Sequence, residues 1–244
     1  MQNLEFTRGQ IRPIECVKEA WALIKDEYWI LFAISLVGAL IGGLSLYVLI
    51  GAMICGIFGC YLKKIDGGKV VFDDLWLGFK FFWPSLLVTL LVVVPIVVYM
   101  IATFTTLYLP FIMKAVGGTR VSDDEMLTAL FAGLAIDAVI AIVMIFIHSL
   151  LIFAFPLVVD RGLSSWAAIK LSARAALKNI GGIGGMIAVN FLMALAGEAA
   201  FCVGIYLVIP LMTAANLVAY RKVFPKQLPL SFEPPPPTAY PEIS

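Results

Sequence analysis

Three polar side chains stand inside long apolar tracts: Asp137 in "GLAIDAVI", His148 in "MIFIHSLL" and Asn190 in "IAVNFLMA". A carboxylate or an imidazole in hydrocarbon is costly, so its default reading is an ion or proton path, or a partner for another polar group. His148 is the only histidine in the chain. Because imidazole titrates near neutrality, a proton relay is one chemistry open to it, and a hydrogen bond between helices is the other. Asn190 has the donors and acceptor to bond across helices, as amides in bilayers do. Asp137 reads either as a carboxylate that reaches interfacial water or as one station of a polar path with His148 and Asn190.

A second set is cationic. "DRGLSSWAAIKLSARAALKN", residues 160–179, places Lys170, Arg174 and Lys178 four residues apart, with Ser164 or Ser165 ready to cap a helix. At helical spacing Trp166, Ile169, Ala173, Ala176, Leu177 and Ile180 line a neighbouring face. An apolar stripe beside a basic one is what a helix lying in a membrane interface needs, with an indole at headgroup level and cations toward anionic lipids. The expected lipid-headgroup contacts are therefore Lys170, Arg174, Lys178 and Trp166.

No other pattern suggests catalysis, a cofactor or a metal. Cys16, Cys55, Cys60 and Cys202 form no C-x-x-C pair and have no histidine at ligand spacing. "GGIGG" at 181–185 lacks both the preceding strand and the G-x-G-x-x-G spacing of a dinucleotide site, and reads as close helix packing. A formal charge of +1 spread along the chain gives no basic surface for nucleic acid. The expectation is a protein without enzymatic activity, with membrane lipids, anionic headgroups among them, and a protein partner or a second copy of itself as its associates.

The elements that must position these residues are membrane spans. With 62% hydrophobic and 14% charged residues, the chain is far from the composition of soluble domains. Tyr28 to Leu62 is uncharged and too long for one crossing, so it must fold back, and Gly42-Gly43 is the predicted turn between spans at 28–43 and 46–62. Pro84, Pro95 and Pro110 predict the start, kink and end of a third span at 84–107. A fourth is expected from 126 to about Pro156, and a fifth and sixth at 181–197 and 200–220 with Glu198 at the hairpin tip. The result is an all-α polytopic membrane protein of about six spans in three hairpins.

In that topology all of the 17 Lys and Arg residues except Lys114 and Arg120 fall on one side, which places both termini in the cytoplasm and the protein in a bacterial inner membrane. All five tryptophans fall on the same side. No removable signal peptide is expected at the N-terminus. The domains read as an N-terminal segment 1–12, a helical membrane domain 13–222, and a Pro-rich, disordered cytoplasmic tail 223–244 open to groove-binding partners.

The linkers repeat. Without gaps, Asp66 to Trp83 aligns on Asp160 to Leu177, pairing Asp66 with Asp160, Gly68 with Gly162 and Lys80 with Arg174. Val17, Lys18 and Ala20 match Ile169, Lys170 and Ser172. Three parallel units follow, at about 13–62, 70–159 and 164–220, each an amphipathic elbow and then a hairpin. "FPLVVDRGLSSWAAIKLSARAALKN", with the glycine-rich span after it, and "CYLKKIDGGKVVFDDLWLGFKFF" resemble the membrane domain of some glycerophosphoryl diester phosphodiesterases and related bacterial membrane families. The resemblance covers about residues 14–222. It implies a fold and not a hydrolase activity, since in those enzymes the chemistry resides in a separate soluble barrel.

Overall fold

A computed structural model describes residues 6–9, 11–117, 122–199 and 204–226. Among them the ordered elements are all helical. They are α1 (Pro13–Ile24), a short 3₁₀ turn (Lys25–Glu27), α2 (Tyr28–Leu44), α3 (Ile50–Ile65), a longer 3₁₀ helix (Phe72–Phe81) that forms the middle elbow, α4 (Phe82–Thr103), a π-helical turn (Phe104–Tyr108), α5 (Leu109–Val116), α6 (Asp123–Leu151), α7 (Ala154–Arg161), α8 (Ser165–Lys178), α9 (Ile180–Ala199) and α10 (Gly204–Val223). The tail from 227 onward, the tip 200–203 with Cys202, and Arg120 lie outside the described residues.

Five runs are long and apolar enough to cross a bilayer: Pro13–Leu44, Phe72–Tyr108, Asp124–Arg161, Ile180–Ala199 and Gly204–Val223. The chain is thus a multi-pass all-α membrane protein. The second predicted span corresponds to α3, whose 16 residues reach about 24 Å at 1.5 Å per residue, short of a hydrocarbon core of about 30 Å. It is also the central helix, packed on α2, α4, α7, α10 and the 3₁₀ segment.

All three units are present: α1 leads into α2 and α3, the 3₁₀ helix into α4 and α6, and α8 into α9 and α10. The middle elbow is 3₁₀ rather than α. Its Gly78 lies so close to α3 that a Cβ there would stand 2.2 Å from the Ala52 carbonyl oxygen, and a Cβ on Gly56 would stand 2.1 Å from that of Leu75. Two glycines facing one another let the elbow and the central helix meet backbone to backbone.

Three boundaries differ from the sequence reading, each for a local reason. The first hairpin turns at 45–49, after Gly42-Gly43, and its left-handed residues are Leu46 and Tyr47. Gly42 instead stays helical and makes room for α3, since a Cβ there would lie 3.2 Å from the Ile50 Cα. Pro110 does not end its helix; it follows the π turn as an early residue of α5, where its missing N–H costs nothing. The fourth span breaks at 152–153, and Ser172 of α8 holds the break, donating to the Leu150 carbonyl at 2.7 Å and accepting from the Phe153 amide at 3.1 Å.

Burial is concentrated at the elbow end. Ile24, Leu31, Ile34, Tyr61, Leu75, Phe153, Leu157, Leu217, Tyr220 and Phe224 are all nearly inaccessible, whereas apolar residues of α4, α6 and α9 farther from the elbows, such as Met100, Phe131, Ile142 and Leu192, face outward. The three hairpins are gathered at one end into a hub. Val223 and Phe224 belong to it, so packing continues just past the predicted domain end at 222, and Ile11 and Thr7 join it from the N-terminal segment.

Gly78→Val is expected to destabilise the folded protein by about 3 kcal/mol or more through overpacking against backbone, while Gly43→Ala, with open space around it, is neutral within about 1 kcal/mol. Thermal unfolding of the two purified variants in detergent, followed by tryptophan fluorescence, checks both.

Candidate functional site

The hub closes around one arginine. Arg221, in the last turn of α10, donates from Nε and Nη2 to the two oxygens of Asp66, at 3.0 and 2.8 Å. From Nη1 and Nη2 it donates to those of Asp160, at 2.8 and 2.7 Å. One planar guanidinium thus grips two carboxylates with a fork on each, a geometry that an ammonium cannot reproduce. The Tyr220 hydroxyl and Arg161 Nε donate to the same Asp160 oxygen at 2.7 and 3.1 Å, and Lys226 stands 3.4 Å from Asp66.

Each partner ends a return helix. Asp66 follows the last residue of α3, Asp160 is in the last turn of α7, and Arg221 is near the end of α10. Helix C-termini carry partial negative charge, so two carboxylates gathered there with three such termini would repel without cations between them. Arg221, Arg161 and Lys226 supply those cations. Further ion pairs tie elbows to return helices: Lys222 to Glu19 of α1 at 2.8 Å, Lys64 to Glu27 at 3.1 Å, and Lys63 to Asp74 of the 3₁₀ elbow at 2.8 Å.

The sequence pairs Asp66 with Asp160 as repeat equivalents, and the fold brings both onto one side chain. Arg221 was legible only as a basic residue past the last span. The signal was the ending shared by the three hairpins, a charged residue within a few positions of the last apolar turn. The gapless register is imperfect, because the left-handed glycine after α3 is Gly67 at φ +85°, whereas the one after α7 is Gly162 at φ +58°. The match of α1 with α8 holds at the level of burial: Ala20 and Ser172 are buried, Lys18 and Lys170 exposed.

The elbow α8 has three faces. Ala168, Leu171, Ser172, Ala175 and Ala176 are buried against the hub. The sequence expects a different apolar stripe, and of it Trp166, Leu177 and Ile180 are more than half exposed, so those residues face away from the protein. On the third face Lys170, Arg174 and Lys178 are all exposed, and among the described residues none of the three forms an ion pair. The Lys170 ammonium sits 5.1 Å from the centre of the Trp166 ring, a cation–π contact that binds the two expected headgroup residues to each other. The helix is anchored at both ends: Ser165 donates to the Pro84 carbonyl at 2.7 Å, and buried Asn179 bonds the Gly9 amide at 2.8 Å and the Thr7 carbonyl at 3.2 Å.

The three intramembrane polar residues are not brought together. Asp137 accepts from the Thr103 hydroxyl of α4 at 2.7 Å, with the Tyr99 hydroxyl at 3.5 Å from its other oxygen. His148 lies three turns along the same helix, its Nδ1 2.8 Å from the Met144 carbonyl oxygen and its Nε2 3.1 Å from that of Val92. Asn190 is in another hairpin and donates to Asn216 of α10 at 2.9 Å. Each bonds a neighbour within its own hairpin, and among the described residues the buried Asn190 Oδ1 accepts no bond. Cys16, Cys55 and Cys60 are buried and free, and no group of His, Cys, Asp or Glu suited to a metal occurs among the described residues.

No family model, no curated protein and no solved structure matches this chain.

Replacing Arg221 by Leu is expected to cost about 3 kcal/mol of stability, because it leaves two poorly exposed carboxylates facing each other. Arg221→Lys restores less than half of that loss, since a point charge cannot fork to both partners. Unfolding midpoints in detergent give both numbers.

Proposed function

We propose that this chain is a non-enzymatic membrane protein that engages the anionic headgroups of one leaflet through α8 and serves there as a scaffold or accessory protein. The observation that carries the reading is the basic face of α8. Among the described residues, seven other Lys and Arg residues are committed to ion pairs, six of them in or between the elbows and return helices. Arg8, Lys18, Lys25, Lys69 and Lys80 are exposed and unpaired there at scattered positions, whereas Lys170, Arg174 and Lys178 are gathered on one face of a single helix with no carboxylate partner among the described residues. Beside them lies an exposed apolar face carrying Trp166. Apolar surface turned toward acyl chains, with cations toward phosphates, is the arrangement that binds a helix in an interface.

The orientation belongs to the same proposal. The excess of Lys and Arg at the hub end supports a cytoplasmic hub, and in a bacterial inner membrane the headgroups met on that side would be anionic. Trp21, Trp29, Trp76, Trp83 and Trp166 are all exposed, and all sit at this end, at the level an indole prefers. A small-solute or lipid transporter with a polar path through Asp137 and His148 is the alternative. The contacts of Asp137 and His148, each made separately within the hairpin, and the separate placement of Asn190 weigh against it.

Purified protein carrying Lys170→Gln, Arg174→Gln and Lys178→Gln together is expected to lose its selection of anionic over zwitterionic lipid. At about 1 kcal/mol per cation the loss is up to about a hundredfold in relative affinity. Lipid analysis of protein exchanged into nanodiscs of mixed phosphatidylglycerol and phosphatidylcholine reads the effect. An unchanged lipid profile in the folded triple variant overturns the proposal.

A further inference from the structure

The hairpin of α4 and α6 outruns the other two, and its polar pair lies at a telling depth. From Trp83, at the elbow-end belt, Thr103 is about 30 Å farther along the helix. That distance is the thickness of a hydrocarbon core. Asp137, bonded to Thr103, therefore lies at the opposite interface rather than in mid-membrane.

The surroundings of Asp137 there have a definite chemistry. One carboxylate oxygen takes a short bond from Thr103, while the other has only the Tyr99 hydroxyl at 3.5 Å, the outer limit of a hydrogen bond. Among the described residues Asp137 has no cation in ion-pair distance. Tyr99 and Thr103, which hold the carboxylate, also line a concavity of about 310 Å³ with Met100, Phe104 and Tyr108. The Phe104 and Tyr108 rings are stacked at 6.4 Å and exposed. The π turn over Phe104–Tyr108 carries both rings, and both line the concavity.

We infer that Asp137, Tyr99, Phe104 and Tyr108 form a binding site for an ammonium group at the interface opposite the hub. A carboxylate joined through its Thr103 and Tyr99 hydrogen bonds to a concavity faced by aromatic rings favours an organic cation, drawn by the charge and by the rings' quadrupoles. Two carboxylate oxygens and the three hydroxyls of Tyr99, Thr103 and Tyr108 fall short of the six to eight oxygens that a calcium ion takes, and rings offer a hard metal ion nothing. At this depth the ammonium is supplied by an ethanolamine or choline headgroup, or by a soluble amine from the aqueous side. The site is independent of the basic face of α8, which lies at the other end of the molecule.

Native mass spectrometry of the purified full chain, offered phosphatidylethanolamine and phosphatidylglycerol in detergent, tests the site. The experiment runs in the Lys170→Gln, Arg174→Gln, Lys178→Gln background so that anionic lipid at the hub does not mask it. Retention of phosphatidylethanolamine is expected to fall severalfold on Asp137→Asn. If that variant fails to fold, Tyr108→Leu, which alters an exposed ring, is expected to lower retention as well. Displacement of the lipid by millimolar ethanolamine assigns the ligand as any ammonium, and resistance to it assigns a lipid headgroup held also by its chains. Equal retention of the two lipids before mutation, or undiminished retention in folded Asp137→Asn or Tyr108→Leu, overturns the inference.

Discussion

The double fork of Arg221 on Asp66 and Asp160 is the constraint on which the other features rest. Three return helices end at one place, and their C-terminal dipoles and two carboxylates would drive them apart. The guanidinium reverses that, with four of its five N–H groups directed at fixed oxygens. Because each elbow is bonded or packed to a return helix, fixing the ends of α3, α7 and α10 also fixes the directions of α1, the 3₁₀ segment and α8. The basic face of α8 points outward because its small-residue face is pinned by Ser172, which donates to the Leu150 carbonyl, and by Asn179, which bonds Gly9 and Thr7 of the N-terminal segment.

Away from the hub the protein does little of its own packing. Only 11% of the most apolar window in Phe72–Tyr108 and 22% of that in Asp124–Arg161 is buried within the chain, so acyl chains must cover the rest. In water this surface would drive aggregation; in a bilayer it is matched to its solvent. Helices without strong mutual packing hold together there through small residues and polar pairs. Gly133 against Leu107, Thr103 with Asp137, and His148 against the Val92 carbonyl provide these contacts for α4 and α6. Asn190 with Asn216 does so for α9 and α10.

Hydropathy was enough to read the helical class and the hairpins, because a bilayer leaves an apolar chain few alternatives to helix, and the elbows were read from helical spacing and the linker repeat. The details of the turns were not legible. Gly42 is selected by the approach of Ile50 rather than by a turn, and a sequence shows the glycine without its neighbour. Pro110 terminates a helix in isolation, but here it stands in the first positions of α5, just after a π turn. On α8 the periodicity revealed an apolar stripe but not which of two apolar faces meets protein. Ala168, Ser172, Ala175 and Ala176 of the buried face are smaller than Trp166, Leu177 and Ile180, and small residues permit the closest approach of helices. The pairing of Asp66 with Asp160 was visible as a repeat, and its meaning became visible only with Arg221 between them.

A double-mutant cycle at the hub tests the central claim most directly. In the wild-type background Asp160→Asn is expected to destabilise the protein, because it removes a charged partner from Arg221, Arg161 and Tyr220. In the Arg221→Leu background the same change is expected to be neutral or stabilising, because it relieves the repulsion between Asp160 and Asp66. Equal destabilisation by Asp160→Asn in both backgrounds, measured by unfolding in detergent, would contradict an arginine-centred hub.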